Sequence, residues 1–324
     1  MPSGATARLA AAVAAAAVAL SLPTGAVAGD ATCAAPISAQ CAASGTASSH
    51  ADPHLRFAHG GRADFRGVDG THYALLSAPG VSFAAETRDT DFLLPKPLLV
   101  HGSFFTHASW VLRDTSDGTA YGVASSASEV GFEVYALRQP APVLVSANRG
   151  VWTEWVRGRL RAYYKQATLF VRANGWEMNV TRQPIYNPVQ GPSRWRLDIA
   201  MRVLGGHTGL EAKHGTASET CFAHGLVGQS FDRDDVAVDG ATDEYATSAD
   251  GVAAVTTRAQ AEGAIEGVAA DYALDGRFGT AFRYSRYTAA PWQLCAHRNV
   301  TALRGRKSHR VAIAGGAGAG VRRA

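Results

Sequence analysis

Charge, sulfur and long apolar runs are all scarce in this chain of 324 residues. Only 18% of residues are charged, while 47% are hydrophobic, a balance that excludes global disorder and supports a buried core. Cysteine appears four times, too rarely for a disulfide-dense scaffold. No H-E-x-x-H and no paired C-x-x-C occurs, so zinc chemistry has no support. The G-x-S-x-G elbow of many serine hydrolases is also missing. No segment approaches the roughly 20 apolar residues of a membrane-spanning helix.

The longest apolar run is the short N-terminal "LAAAVAAAAVALSL". It follows Arg8 and leads through Pro23 and Gly25 to Ala26-Val27-Ala28, the pattern of a cleaved secretory signal over residues 1–28. Secretion also suits the even cysteine count, and Cys33, Cys41, Cys221 and Cys295 are expected to form two disulfides. Sequence does not fix the pairing. Cys33–Cys41 with Cys221–Cys295 is favoured because the first two share a small, polar segment. Asn179-Val180-Thr181 and Asn299-Val300-Thr301 are N-glycosylation acceptors, placing glycans at Asn179 and Asn299.

The net charge of +4 is unevenly spread. The tail from Arg298 holds seven Lys/Arg and no acid, so the body before it is slightly acidic. That distribution argues against a nucleic-acid partner. The expected organisation is a signal (1–28), a small disulfide-closed leader (29–49), one β domain (50–297) and a basic disordered tail (298–324).

Within the body the hydrophobic period is two. In "WRLDIAMRV", Trp195, Leu197, Ile199, Met201 and Val203 fall on one face and Arg196, Asp198, Ala200 and Arg202 on the other. "VSFAAET", "FFTHASWVLR", "VGFEVYAL", "PVLVSA", "VWTEWV", "ATLFVRA" and "WEMNVT" are further strand candidates. Asp69-Gly70, Pro79-Gly80, Asp117-Gly118 and Asn174-Gly175 mark turns between them. The fold class is therefore all-β, an antiparallel β-sandwich, with one or two short helices in the C-terminal third. "TTRAQAEGAIEG" is the helix candidate, and "AFRYSRY" returns to alternation. Glu154 and Glu177 lie in aromatic strands, where alternation turns them to solvent rather than into a glycosidase pair.

Two segments carry more. "ADPHLRFAHGGRADFRGVDGTHYALLSAPGVSFAAET" holds Asp52-Pro53-His54, and "CFAHGLVGQSFDRDD" holds His224-Gly225-Leu226-x-Gly228-Gln229. Their glycines read as turn residues, and His59 and His72 as fold residues rather than ligands. Together the segments resemble the von Willebrand factor type D family. In motif order they are more similar to the C-terminal region of inter-alpha-trypsin inhibitor heavy chains, over roughly residues 50 to 297. His224 and Val227 stand where the type D loop has cysteines, and Ala51 where that motif leads with glycine.

The resemblance implies that the Asp52-Pro53 bond breaks without a protease. The Asp52 carboxyl attacks its own peptide carbonyl, proline leaves as an amine, and water or a glycan hydroxyl opens the anhydride, with His54 supplying a proton. The residues alone also permit a plain strand-start aspartate beside a φ-fixing proline. Such cleavage is expected to release residues 29–52. By the same resemblance Asp232, Asp234 and Asp235 suit calcium, the one cofactor in view, although a solvated acidic turn fits them too and EF-hand spacing is absent. Without a complete catalytic signature, the expected role is a secreted, non-enzymatic module binding an extracellular protein or glycan. Self-processing at Asp52, Pro53 and His54 is the alternative.

Overall fold

The computed structural model describes residues 45–95, 98–138, 140–191, 193–204, 223–231, 236–247, 253–255 and 257–289. The signal, the basic tail, all four cysteines, Asn299 and the Asp232, Asp234 and Asp235 cluster lie outside them.

In chain order the strands are β1 (Ala47–His50), β2 (His54–Arg56), β3 (Arg62–Asp64), β4 (His72–Ala78), β5 (Val81–Leu94), β6 (Leu98–Arg113), β7 (Ala120–Ser126), β8 (Gly131–Ala136) and β9 (Val143–Arg149). Then follow β10 (Trp152–Arg157), β11 (Leu160–Lys165), β12 (Thr168–Ala173), β13 (Trp176–Pro184), β14 (Pro188–Gln190), β15 (Trp195–Val203), β16 (Tyr245–Thr247), β17 (Ala253–Val255) and β18 (Ala273–Leu274). They form two antiparallel sheets of eight strands packed as a sandwich. The first runs β10-β11-β12-β13-β15-β1-β2-β3. The second runs β18-β4-β5-β6-β7-β8-β9, with β14 on β5, and β16 and β17 form a separate ribbon.

Alternation explains the layering. Along β15, Leu197, Ile199 and Met201 are buried, and along β12 so are Leu169 and Val171. Val180 and Met178 of β13 are their partners in register, so these strands present one apolar face, which ends at Arg182 opposite Leu197. The second sheet opposes it with Phe83, Trp110, Val123, Phe132 and Val134, in the same buried cluster. Phe83 and Trp110 stack with centroids 4.7 Å apart and planes 4° from parallel, where the start of β5 pairs with the end of β6.

The turns obey their residues. Asn174 (φ 46°) and Gly175 (φ 82°) both take the left-handed region, giving β12 and β13 the two-residue hairpin that Asn-Gly favours. The candidate helix over 256–267 is not formed. Among its described residues, Ala261 (φ 60°), Gly263 (φ 88°) and Gly267 (φ 69°) break the right-handed path, and Gln260 bridges to Phe65 instead. Helical structure among the described residues is limited to two single 3-10 turns, Gly228–Ser230 and Ala269–Tyr272. "AFRYSRY" also forms no strand. Its segment instead caps the outer face of the second sheet, where Phe282 packs on Ala74 and Ala84.

The sandwich begins earlier than the expected boundary at residue 50. Strand β1 lies between β15 and β2, with Ser49 opposite Ile199 on one side and Leu55 on the other. Residues 47–49 are thus sheet, not leader.

Replacing Phe83 by alanine removes the ring stacked on Trp110 from a fully buried site. Urea denaturation should show a loss of about 3–5 kcal/mol in unfolding free energy, whereas the same change at exposed Val68 should cost little.

Candidate functional site

The β1–β2 hairpin carries the Asp-Pro-His motif in its loop. His50 and His54 close the hairpin in register, leaving Ala51, Asp52 and Pro53 to make the turn. Ala51 adopts φ 58°, a left-handed conformation that disfavours an L side chain by roughly 1–2 kcal/mol. This is the position at which the resembled motif has glycine. The Ala51 N–H donates to Asp198 Oδ1 at 3.1 Å, fixing the turn to β15.

That turn folds the Asp52 side chain inward, where it is 6% exposed. The Ser103 N–H on β6 donates to Oδ1 at 2.8 Å, so the carboxyl ties one sheet to the other. The Tyr245 hydroxyl reaches Oδ2 at 3.3 Å from β16. Burial pushes the Asp52 pKa up to about 6, against the opposing pull of the Ser103 N–H, Arg66 and His54. Pro53 is buried too, and its carbonyl accepts from the Phe65 N–H at 2.9 Å.

A second layer of polar groups surrounds this carboxyl. Arg66 is buried, donating to the His101 and Thr257 carbonyls, with Nε 3.8 Å from Asp243 Oδ2. Asp243 accepts from the Ala259 N–H at 2.7 Å, and burial raises its pKa. Asp64 joins the two ends: Oδ1 meets His54 Nδ1 at 2.5 Å and Oδ2 accepts from the Asp243 N–H at 2.8 Å. Burial, and after it the charge of Asp52, holds the Tyr245 hydroxyl protonated far above the usual phenol range. Three carboxyls, one guanidinium, one imidazole and one phenol thus meet where β2, β3 and β6 face residues 243–259.

The histidines between residues 50 and 72, His50, His54, His59 and His72, do not converge. His54 is partnered by Asp64, His50 by Ser48, and His59 accepts from the Gly61 N–H, while His72 lies on the outer face of the second sheet. Among the described residues no group of three or more His, Cys, Asp or Glu side chains is arranged to hold a metal ion, and no helix is long and apolar enough to cross a membrane.

The His-Gly-Leu-x-Gly-Gln segment is a clasp rather than a reactive site. His224 exchanges backbone hydrogen bonds with Ser77 of β4, at 2.6 and 2.8 Å. Gly225 has φ 115°, and a Cβ there would sit 2.6 Å from the Leu75 carbonyl oxygen, so only glycine fits against β4. At Gly228 a Cβ would meet Leu76 Cδ1 at 2.8 Å. Gln229 donates to the Gly225 carbonyl and the Tyr272 hydroxyl and accepts from the Glu266 N–H. The His224 ring stacks on Tyr284 at 4.6 Å, and burial lowers its pKa. At the far end of the clasp, Ser230 Oγ accepts from the Ala58 N–H, just past β2.

Asn179 projects from the outer face of β13, half-exposed, between Phe170 and Ala200. Glu154 and Glu177 share that face but sit on β10 and β13, with two strands between them. Glu154 is exposed and pairs with Arg161. Glu177, expected in solvent, is buried beneath Arg172 and Arg202, which hold its two oxygens at 2.5 and 2.6 Å. No glycosidase pair forms.

Arg66, Asp243 and Tyr245 were not legible as partners of Asp52. They come from distant parts of the chain, and no local spacing connects them. The chain matches no protein-family model and no curated protein sequence.

Asp52→Asn should remove one pH dependence of stability. Because the folded pKa is raised, the wild type should lose stability relative to the variant between about pH 4 and 6, by about 3 kcal/mol in all, with a constant difference above. Urea titrations of both proteins at several pH values measure it.

Proposed function

We propose that this chain is an exported, non-enzymatic interaction module that captures an extended segment of an extracellular protein on its β9–β10 edge. One observation carries the reading: exposed apolar side chains concentrate there. Val143, Leu144 and Val145 are 55%, 51% and 50% exposed, and Val151, Trp152 and Val156 follow at 52%, 65% and 58%. Three consecutive exposed residues mean that both faces of β9 are open at its start. Among the described residues β9 pairs only with β8, and β10 only with β11, so each strand has one free row of backbone donors and acceptors. An extended partner with apolar alternate residues satisfies both demands by adding a strand. The resemblance to secreted type D and heavy-chain domains, and the signal-like N-terminus, support an extracellular setting.

Peptides selected on the folded protein from a displayed random library should show alternating apolar residues. They should protect β9 or β10 amides from hydrogen exchange and lose binding in Leu144→Lys. Protection confined to other strands, or self-association through β9 in sedimentation, would count against a foreign partner there.

A second reading rests on Asp52. A carboxyl still protonated near pH 6 carries both the nucleophile and the proton that cleavage at Asp52-Pro53 needs. Its oxygen bonds to its own backbone carbonyl carbon and the C–N bond breaks. The carboxyl proton goes to the proline nitrogen, leaving an anhydride that water opens. Strand β1 is hydrogen-bonded on both sides, so the N-terminal piece stays in the sheet rather than leaving, contrary to simple release. Incubated intact protein should yield a new N-terminus at Pro53, with a rate that falls roughly tenfold per pH unit well above pH 6. Asp52→Asn should abolish the break, and the two pieces should separate only in denaturant. An unbroken mass after prolonged incubation at pH 5 refutes the reading.

A further inference from the structure

The outer face of the second sheet holds a concavity of about 370 Å³, remote in role from the Asp52 cluster. Five adjacent strands line it with polar side chains, among them Glu86 from β5, His107 from β6, Ser126 from β7, Glu133 from β8 and Arg149 from β9, and His72 of β4 and Arg277 lie at its margin. Glu129 joins them from the β7–β8 turn. The register explains the row, since Glu86 lies opposite His107 and His107 opposite Ser126.

Counted together, the charges at the trough nearly cancel: Glu86, Glu129 and Glu133 are met by Arg149 and Arg277 in the lining and by Arg88 beside Glu86, with His72 and His107 as the imidazoles. Glu86 is buried, with Oε1 held by Arg88 Nε and Oε2 by His107 Nδ1, both at 2.8 Å. Arg149 donates to Glu133 Oε1 at 2.8 Å and to Glu129 Oε2, and the Tyr135 hydroxyl donates to Glu133 Oε2. Ser126 and Ser128 bond to each other at 2.7 Å. A carboxylate oxygen that accepts one hydrogen bond keeps a second lone pair, and His107, bound through Nδ1, keeps Nε2. The trough therefore presents fixed acceptors and donors with little unbalanced charge. A bare ion gains little there, because its desolvation is not offset by an opposite charge. A neutral molecule with several hydroxyls can match the fixed groups one by one, at low ordering cost to the protein.

We propose that this trough binds a neutral sugar residue of a glycan. The volume falls in the range of small-ligand sites and accommodates one or two hexose rings. Glu133, Glu129 and Glu86 accept from ring hydroxyls, and His107 Nε2 and Ser126 complete the set. The site meets the β9–β10 docking edge only at Arg149, the last residue of β9, while the exposed apolar residues Val143, Leu144 and Val145 at the other end of that strand lie outside it.

Titration of the full chain with the methyl glycosides of glucose, galactose and mannose, followed by amide NMR, tests it. At least one should shift the resonances of residues 107, 126 and 133, with a dissociation constant in the roughly millimolar range. His107→Ala and Glu133→Gln should each weaken that binding roughly tenfold or more with unchanged far-UV circular dichroism, and His107→Ala, which touches no residue of β9, should leave peptide protection there unchanged. Ser126→Trp, which fills the trough from a surface strand, should abolish it. Glucuronate and glucosamine, which bring a charge, should bind more weakly than their neutral parent. Absence of shifts with all three glycosides at tens of millimolar, shifts located elsewhere, or a preference for a charged sugar overturns the proposal.

Discussion

Burial of alternate side chains between two sheets is the constraint on which the other features depend. A strand offers one face to the core and one to water, and a shift of one residue exchanges them. In this chain the inner faces meet around the Phe83–Trp110 stack, which commits Glu86, His107 and Ser126 to the outside of the second sheet. The same parity sets Asn179, Glu177 and Arg202 on the outside of the first. The packing of the inner faces thus sets the trough and Asn179 on the outer ones.

Asp52 departs from that scheme. Its carboxyl lies in the interior, where an unpaired charge is costly, and the protein meets the cost by keeping the proton to about pH 6. The Ser103 N–H, Tyr245 and the Arg66–Asp243 pair enclose it from the opposite sheet and from the C-terminal third. The hairpin that presents Asp52 also contains Ala51 in a left-handed conformation, so local strain and a buried acid occur side by side. Both also serve the fold: the Ser103 N–H on Asp52 ties the two sheets together, and the Ala51 N–H on Asp198 ties the turn to β15.

The architecture was largely legible in the sequence because period-two alternation is local. β15 occupies the same nine residues as "WRLDIAMRV", and the Asn174-Gly175 turn lies between the strands it was expected to join. What failed was equally physical. "TTRAQAEGAIEG" has helix-forming composition, but the positive φ at Ala261, Gly263 and Gly267 follows from packing against Phe65 and β3, which no local pattern reveals. "AFRYSRY" alternates, yet it caps a sheet instead of joining one. The cluster around Asp52 draws on residues nearly 200 positions apart, and Glu177 is buried by arginines whose reach across strands depends on register.

Strand β1 has a topological consequence. It is four residues long and lies between β15 and β2, strands that are not paired with each other. Were it to leave, the sheet would be left with a cleft of two strand spacings, about 9–10 Å wide, rimmed on both sides by unsatisfied amides and carbonyls. A gap of that width is one strand wide, so the continuity of the first sheet from β15 to β3 rests on these four residues.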